Sequence, residues 1–176
     1  MNLKFRTATP NDSDSLAAFI NAAYRGESSD KGWTTESHLL AGLRTDGADI
    51  REIMSKSDSN FLLAFDPSHP GQIIGSVHLE KRPDHHCYLG MFSVSPLVQA
   101  QGIGRTLLAR AEEFARETYQ SKIMEMTVIS VRHELIAWYE RRGYKKTGKA
   151  IPFPVHEKFG VLKVESLEMA VLSKNL

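Results

Sequence analysis

The residues of this chain most able to do chemistry lie between Val94 and Arg105. They read Val-Ser-Pro-Leu-Val-Gln-Ala-Gln-Gly-Ile-Gly-Arg and join a β-like run, Cys87 to Val94, to an amphipathic helix. Gly102 and Gly104 lack a Cβ, so the backbone can bend tightly there and crowd its N–H groups against an anion. The helix that starts at this turn adds unpaired amide donors and the positive end of its dipole, and Arg105 adds a formal positive charge. Such a turn is suited to gripping a pyrophosphate. It is neither the Gly-x-Gly-x-x-Gly of dinucleotide folds nor the Gly-x-x-x-x-Gly-Lys-Ser/Thr of nucleotide-hydrolysing loops. A tight strand-to-helix turn without a ligand would use the same two glycines.

A second segment runs from Val131 to Tyr144 and reads Val-Arg-His-Glu-Leu-Ile-Ala-Trp-Tyr-Glu-Arg-Arg-Gly-Tyr. On a helix, Arg132, Leu135, Ile136 and Tyr139 share one face, so Tyr139 can point into a sheet while Trp138 points elsewhere. Alone, Tyr139 also reads as a core aromatic with a hydrogen-bonded hydroxyl. Together the two segments resemble the GNAT family of N-acetyltransferases. The stretch Val94 to Gly104 is similar to the family's coenzyme-A loop, Val-x-Pro-x-x-Gln-x-x-Gly-x-Gly. The second stretch is similar to its closing segment, Asn-x-x-Ala-x-x-x-Tyr-x-x-x-Gly-Phe/Tyr. The resemblance extends roughly from Leu3 to Val171 and is strongest from Met91 to Tyr144.

That resemblance implies an enzyme moving the acetyl group of acetyl-CoA to a primary amine, on a small molecule or a peptide, without a metal. It places the pyrophosphate on Gln99, Ala100, Gln101, Gly102, Ile103, Gly104 and Arg105, and the pantetheine arm along the backbone of Phe92, Ser93 and Val94. Tyr139 would lie beside the sulfur and give its proton to the leaving thiolate, a role suited to a phenol with a reference pKa near 10. Arg132 stands where many members carry an Asn. A guanidinium can donate to a phosphate or carbonyl but cannot accept, so it serves either as a cofactor contact or as a cation at the helix start.

The base that deprotonates the amine has several candidates. Relatives that acetylate ribosomal-protein N-termini often carry a Glu where this chain has Thr127. Glu125 lies two residues earlier on the same face of that strand, and a mid-strand carboxylate is costly unless paired or wet. His78 and Glu80 share a face of another strand. Glu36, with Trp33, falls in the segment where relatives form part of the acceptor pocket. Each has a plain structural role as an alternative, and direct deprotonation through water is a further route. A catalytically silent acyl-CoA sensor, or an interaction domain, would keep the glycine turn and lose this chemistry.

The elements that must position these groups are legible in the periodicities. Strands are expected at Leu3–Ala8, Asn60–Asp66, Gln72–Lys81, Cys87–Val94, Lys122–Ile129 and Val164–Val171, with a short one near Tyr144. Helices are expected to about Tyr24 after the turn and N-cap residues Pro10 to Ser13, from Thr34 or Thr35 through Leu43, over Asp49–Ser55, after Gly104, and from Arg132 to Arg142, where Gly143 ends it. The helix after Gly104 carries Leu107, Leu108, Ala111, Phe114 or Ala115, and Thr118 on one face, with Arg110, Glu112, Glu113, Arg116 and Glu117 elsewhere. This order implies an α/β layer fold with a mixed sheet. The resemblance sharpens it to a mostly antiparallel central sheet of about six to seven strands with helices on both faces.

Composition narrows the setting. The chain of 176 residues fits one domain with a core of its own, and 22 basic against 21 acidic residues leave no electrostatic case for a nucleic-acid or anionic-membrane partner. The single cysteine, Cys87, allows no intrachain disulfide. His86 and Cys87, adjacent on a strand, point to opposite faces and cannot easily share a metal. The opening Met-Asn-Leu-Lys-Phe-Arg lacks a signal peptide's apolar run, so a soluble cytoplasmic protein is expected. The terminal strands offer a surface for pairing into a homodimer.

Overall fold

The structure, a computed structural model, describes residues 3–25, 36–98, 101–154 and 159–176. Its main sheet has the strand order β1-β3-β4-β5-β6-β9-β7, built from β1 (Lys4–Thr7), β3 (Ser59–Phe65), β4 (Ile73–Arg82), β5 (His86–Val94), β6 (Ile123–Ile129), β7 (Lys145–Pro152) and β9 (Glu168–Asn175). Every neighbouring pair is antiparallel except β5 with β6. Parallel strands need a crossover, and α3 (Ile103–Tyr119) supplies it. A two-stranded ribbon, β2 (Leu40–Gly42) with β8 (Phe159–Leu162), stands apart. The expected mixed, mostly antiparallel architecture is the one observed.

Helices cover both faces. α3 and α4 (His133–Glu140) close one face over Val77, Leu79, Cys87, Leu89, Met124 and Met126. α1 (Ser13–Tyr24) and α2 (Gly47–Ser55) close the other over Phe61, Leu63 and Phe65. α3 docks through Ile103, Leu107, Leu108, Ala111, Ala115 and Tyr119, all buried at the helical spacing of three and four. Removing a leucine side chain from such a stripe costs on the order of 2–5 kcal/mol.

Two departures in this region have clear causes. Ala115 is the buried one of the two alternatives, Tyr119 rather than Thr118 completes the stripe, and Glu112 lies buried instead of on the polar face. Lys174 Nζ reaches both Glu112 carboxylate oxygens at 2.8 and 2.7 Å, and the Tyr144 hydroxyl donates to Oε1 at 3.0 Å. With its lone pairs engaged, the carboxylate tolerates the interior.

Elsewhere, pairing across long sequence distances overrides local pattern. The helix expected through Leu43 is a turn followed by β2, because Leu40 pairs with Leu162 and the buried Leu39 and Leu40 pack on Ile129 and Leu167. Thr34 and Thr35 lie outside the described residues. The short strand expected near Tyr144 is the eight-residue β7, an exposed edge strand that pairs with β9 through Pro152. An edge position is where a strand accepts proline. The last strand is displaced toward the C-terminus, since β9 pairs along all of β6, from Met169 opposite Ile129 to Asn175 opposite Ile123.

The feature that makes room for a site is a parting of strands. β5 and β6 pair only from His86 and Ile123 to Leu89 and Met126, yet β5 continues to Val94 and β6 to Ile129. On its other edge, β5 has an irregular register against β4 between the His78–Gly90 and Ser76–Ser93 pairs, and Met91 there has φ 46°. This β-bulge inserts one residue, so Phe92 and Val94 return to the α3/α4 face while Met91 packs with the α1/α2 cluster. A non-glycine residue in that conformation costs about 1–3 kcal/mol, which the surrounding packing must offset.

Candidate functional site

Between the parted strands lies a cavity of about 70 Å³. Gly90, Met91 and Phe92 form one wall, Thr127, Val128 and Ile129 the other, and Tyr139, Arg132 and Leu135 of the α4 segment close one side. Tyr24 at the end of α1, Glu36 and Arg44 complete it.

Tyr139 is nearly fully buried, packs edge-on against Phe92, Trp138 and Tyr144, and faces this cavity. Its hydroxyl makes no hydrogen bond among the described residues. Burial, reinforced by Tyr24 and opposed by Arg132 and Arg142, pushes the Tyr139 phenol well above its usual value, so it stays protonated at neutral pH. A buried phenol facing a cavity, with no hydrogen-bond partner among the described residues, is a proton donor placed to act on a ligand. Tyr24 differs. Its hydroxyl donates to the Phe92 carbonyl at 2.6 Å, and burial pushes it up to about 12. It pins the bulged strand.

Beyond the parting, Gly102 caps α3 with φ 79°, and no side chain caps the helix. A Cβ at Gly102 would meet nothing within 4 Å, whereas one at Gly104 would touch Trp138 at 3.4 Å. Gly102 therefore permits the left-handed turn, while a Cβ at Gly104 would make only ordinary contact with Trp138 of α4. The Gly102 carbonyl accepts from the Thr106 amide at 3.1 Å, leaving the amides of Ile103, Gly104 and Arg105 without intrahelical acceptors. Arg105 is exposed at this end. Arg142 stacks 3.5 Å over the Trp138 ring, and burial followed by the like charges of Arg141 and Arg105 holds its guanidinium below the ordinary value. An uncapped helix terminus with the Arg105 guanidinium in its first turn, near enough to Arg142 to repel it, fits a polyphosphate. Of the residues expected on the pyrophosphate, Gln99 and Ala100 lie outside the described residues, and Gln101 is exposed just before the turn.

The four groups offered as base separate in space. Glu36 alone lines the cavity, and it is engaged there: Arg25 Nη2 lies 3.3 Å from Oε2 and Arg132 Nη1 lies 4.0 Å from Oε1. Arg132 thus turns toward Glu36 inside the cavity. Glu80 pairs with Arg82 at 3.1 Å. Glu125 lines a second hollow on the α1/α2 face of the sheet, with Arg82, His86 and Tyr88, and Tyr88 also borders the first cavity. Thr127 shares a hydrogen bond of 2.9 Å with the Tyr88 hydroxyl. Trp33 lies outside the described residues. Tyr24, Arg44 and Tyr88 border the cavity and carried no sequence signal, since each comes from a segment with an ordinary pattern.

His78 is buried beneath Gly90, 2.7 Å from the Ser59 hydroxyl and stacked on Phe61. Burial pulls its imidazole down to about 4, so it is neutral in the fold at pH 7. The unfolded chain takes up its proton near pH 6.5 and the folded protein only near 4, so stability from this group is complete above 6.5 and declines as pH falls between those values. The expected loss over that window is about 3 kcal/mol. Urea titrations at pH 7.5 and 4.5 check it: His78→Gln should flatten the acid side of the profile, and an unchanged slope would assign the acid sensitivity elsewhere.

Cys87, opposite His86, is buried in the core under Met124, and desolvation pushes its thiol up to about 12. Among the described residues, no three His, Cys, Asp or Glu side chains gather as metal ligands, and no helix is long and apolar enough to cross a membrane.

Comparison with known proteins adds to this geometry. The sequence model of the acetyltransferase (GNAT) family matches residues 16–144. No curated protein sequence matches the chain. Similar solved structures include a GNAT-family acetyltransferase from Streptococcus pneumoniae, with TM-score 0.68, 19% identity and coverage of 99% of this chain and 100% of that one. A ribosomal-protein-alanine N-acetyltransferase from Brucella melitensis gives TM-score 0.69 at 23% identity, covering 98% and 99%. The Salmonella typhimurium protein yncA, solved with its cofactor acetyl-CoA, gives TM-score 0.66 at 17% identity, covering 100% and 95%. At these identities the likeness establishes the fold.

Proposed function

Because this chain belongs to the acetyltransferase (GNAT) family, we propose that it transfers the acetyl group of acetyl-CoA to a primary amine bound in the cavity between β5 and β6. The observation that carries this reading is the Tyr139 hydroxyl, buried, facing the cavity and free of any protein hydrogen bond among the described residues.

The α3 terminus, with Gln101, Gly102, Ile103, Gly104 and Arg105, holds the pyrophosphate, and Gln99 and Ala100, which precede it in the sequence, are assigned to the same ligand. Phe92, Ser93 and Val94, beyond the point where β6 departs, flank the pantetheine arm, while the Phe92 carbonyl stays tied to Tyr24. The amine attacks the thioester carbonyl carbon as a C–N bond forms. The C–S bond then breaks, Tyr139 protonates the thiolate, the nitrogen releases its extra proton to solvent, and the tyrosinate takes one proton back from solvent. Glu36, engaged by Arg25 and Arg132, shapes the acceptor end of the cavity.

Calorimetry with acetyl-CoA, followed by thiol release across a panel of amines, tests the proposal. The expected result is one-to-one binding and acceptor-dependent thiol release. Binding with no acceptor-dependent release would favour a sensor, and no binding would end the reading.

A further inference from the structure

The acceptor cavity holds a guanidinium that no carboxylate among the described residues neutralises. Arg44 lines the cavity, yet its guanidinium has no hydrogen bond or ion pair among the described residues and lies 5.9 Å over the Tyr24 ring. Among the described residues the only carboxylate in the wall, Glu36, is already shared between Arg25 and Arg132. Arg25 is itself buried with an unpartnered Nε, so the cluster carries excess positive charge in a site of low dielectric.

Arg44 is also held in place. Asn21 Oδ1 accepts from the Arg44 amide at 2.7 Å and from the Thr45 amide at 3.3 Å, while Asn21 Nδ2 donates to the Thr45 carbonyl at 2.9 Å. Asp46 then caps α2 by accepting from the Asp49 amide at 2.8 Å. The backbone bearing Arg44 is clamped between α1 and α2, which fixes the point from which its side chain reaches the cavity.

We propose that Arg44 anchors a carboxylate on the acceptor, so that the substrate class is an amine bearing a carboxylate close to the reacting nitrogen, as in an α-amino acid. The inference rests on the acetyl-transfer reading. A planar guanidinium takes a carboxylate through two parallel N–H bonds, which fixes the amine's direction as well as its affinity. A polyamine, or the charged end of a lysine, would enter the same cavity against like charge.

Thiol release is measured with saturating acetyl-CoA for several α-amino acids, each beside its amide and its decarboxylated amine, and for spermidine. At least one acid is expected to exceed its amide in kcat/KM by about 10- to 100-fold, the range of one charge-assisted contact. Arg44→Gln should erase that preference mainly through KM, and Arg44→Lys should restore part of it. Amides or spermidine outrunning every acid, or an acid preference that survives Arg44→Gln, would overturn the proposal. So would silence from the whole panel in a protein that binds acetyl-CoA by calorimetry. Loss of acetyl-CoA binding in the wild type would bring down the acetyltransferase reading itself.

Discussion

Tyr139→Phe is expected to lower kcat by about 100-fold while leaving the affinity for acetyl-CoA within a factor of two. The phenyl ring keeps the edge-on packing against Phe92, Trp138 and Tyr144, so the core that positions α4 is preserved. Only the hydroxyl is lost, and among the described residues it supports no hydrogen bond whose removal would unsettle the fold. Burial raises the phenol's pKa, so the donor stays protonated across the working range and its own ionisation should produce no falling alkaline limb below pH 9. Stopped-flow thiol release from pH 7 to 9, paired with calorimetry, reads both quantities. Turnover unchanged in the variant would remove Tyr139 from the chemistry and return it to the core.

Arg105→Glu should weaken acetyl-CoA binding about 100-fold without lowering thermal stability. The side chain is exposed in the first turn of α3, beside the uncapped amides and close enough to Arg142 to repel it. A carboxylate there complements the helix dipole and is worth about 0.3–1 kcal/mol to the helix, so the melting temperature should hold or rise. The same carboxylate opposes a pyrophosphate on those amides. Affinity and stability therefore move in opposite directions, which separates a ligand-binding role for this turn from a structural one. Arg105→Gln should fall between the two, and equal affinities for all three proteins would show that the phosphates bind elsewhere.

How much of this site was legible beforehand follows from the range of each interaction. Gly102 was readable because a left-handed turn before a helix asks for glycine, and the stripe of α3 because a helix docked on a sheet must repeat its apolar residues every three to four positions. Tyr139 was readable as a ring aimed inward from α4, and it is buried there. Glu112 was misplaced because its partners, Lys174 and Tyr144, lie on a distant strand and beyond α4. β2 was misread because its strand character comes from pairing with β8 near the other end of the chain.

The sequence by itself thus determined the local devices: the glycine turn, the helix periods, the alternating strands and the placement of Tyr139 relative to that turn. These depend on bond geometry and neighbours a few residues away. Only the tertiary structure decided where β5 and β6 part, that Met91 carries the bulge, and that Tyr24, Glu36, Arg44 and Arg132 meet around one cavity. Those outcomes depend on which strands pair and how two helix layers press on the sheet, and no short window of residues encodes a contact made across the whole fold.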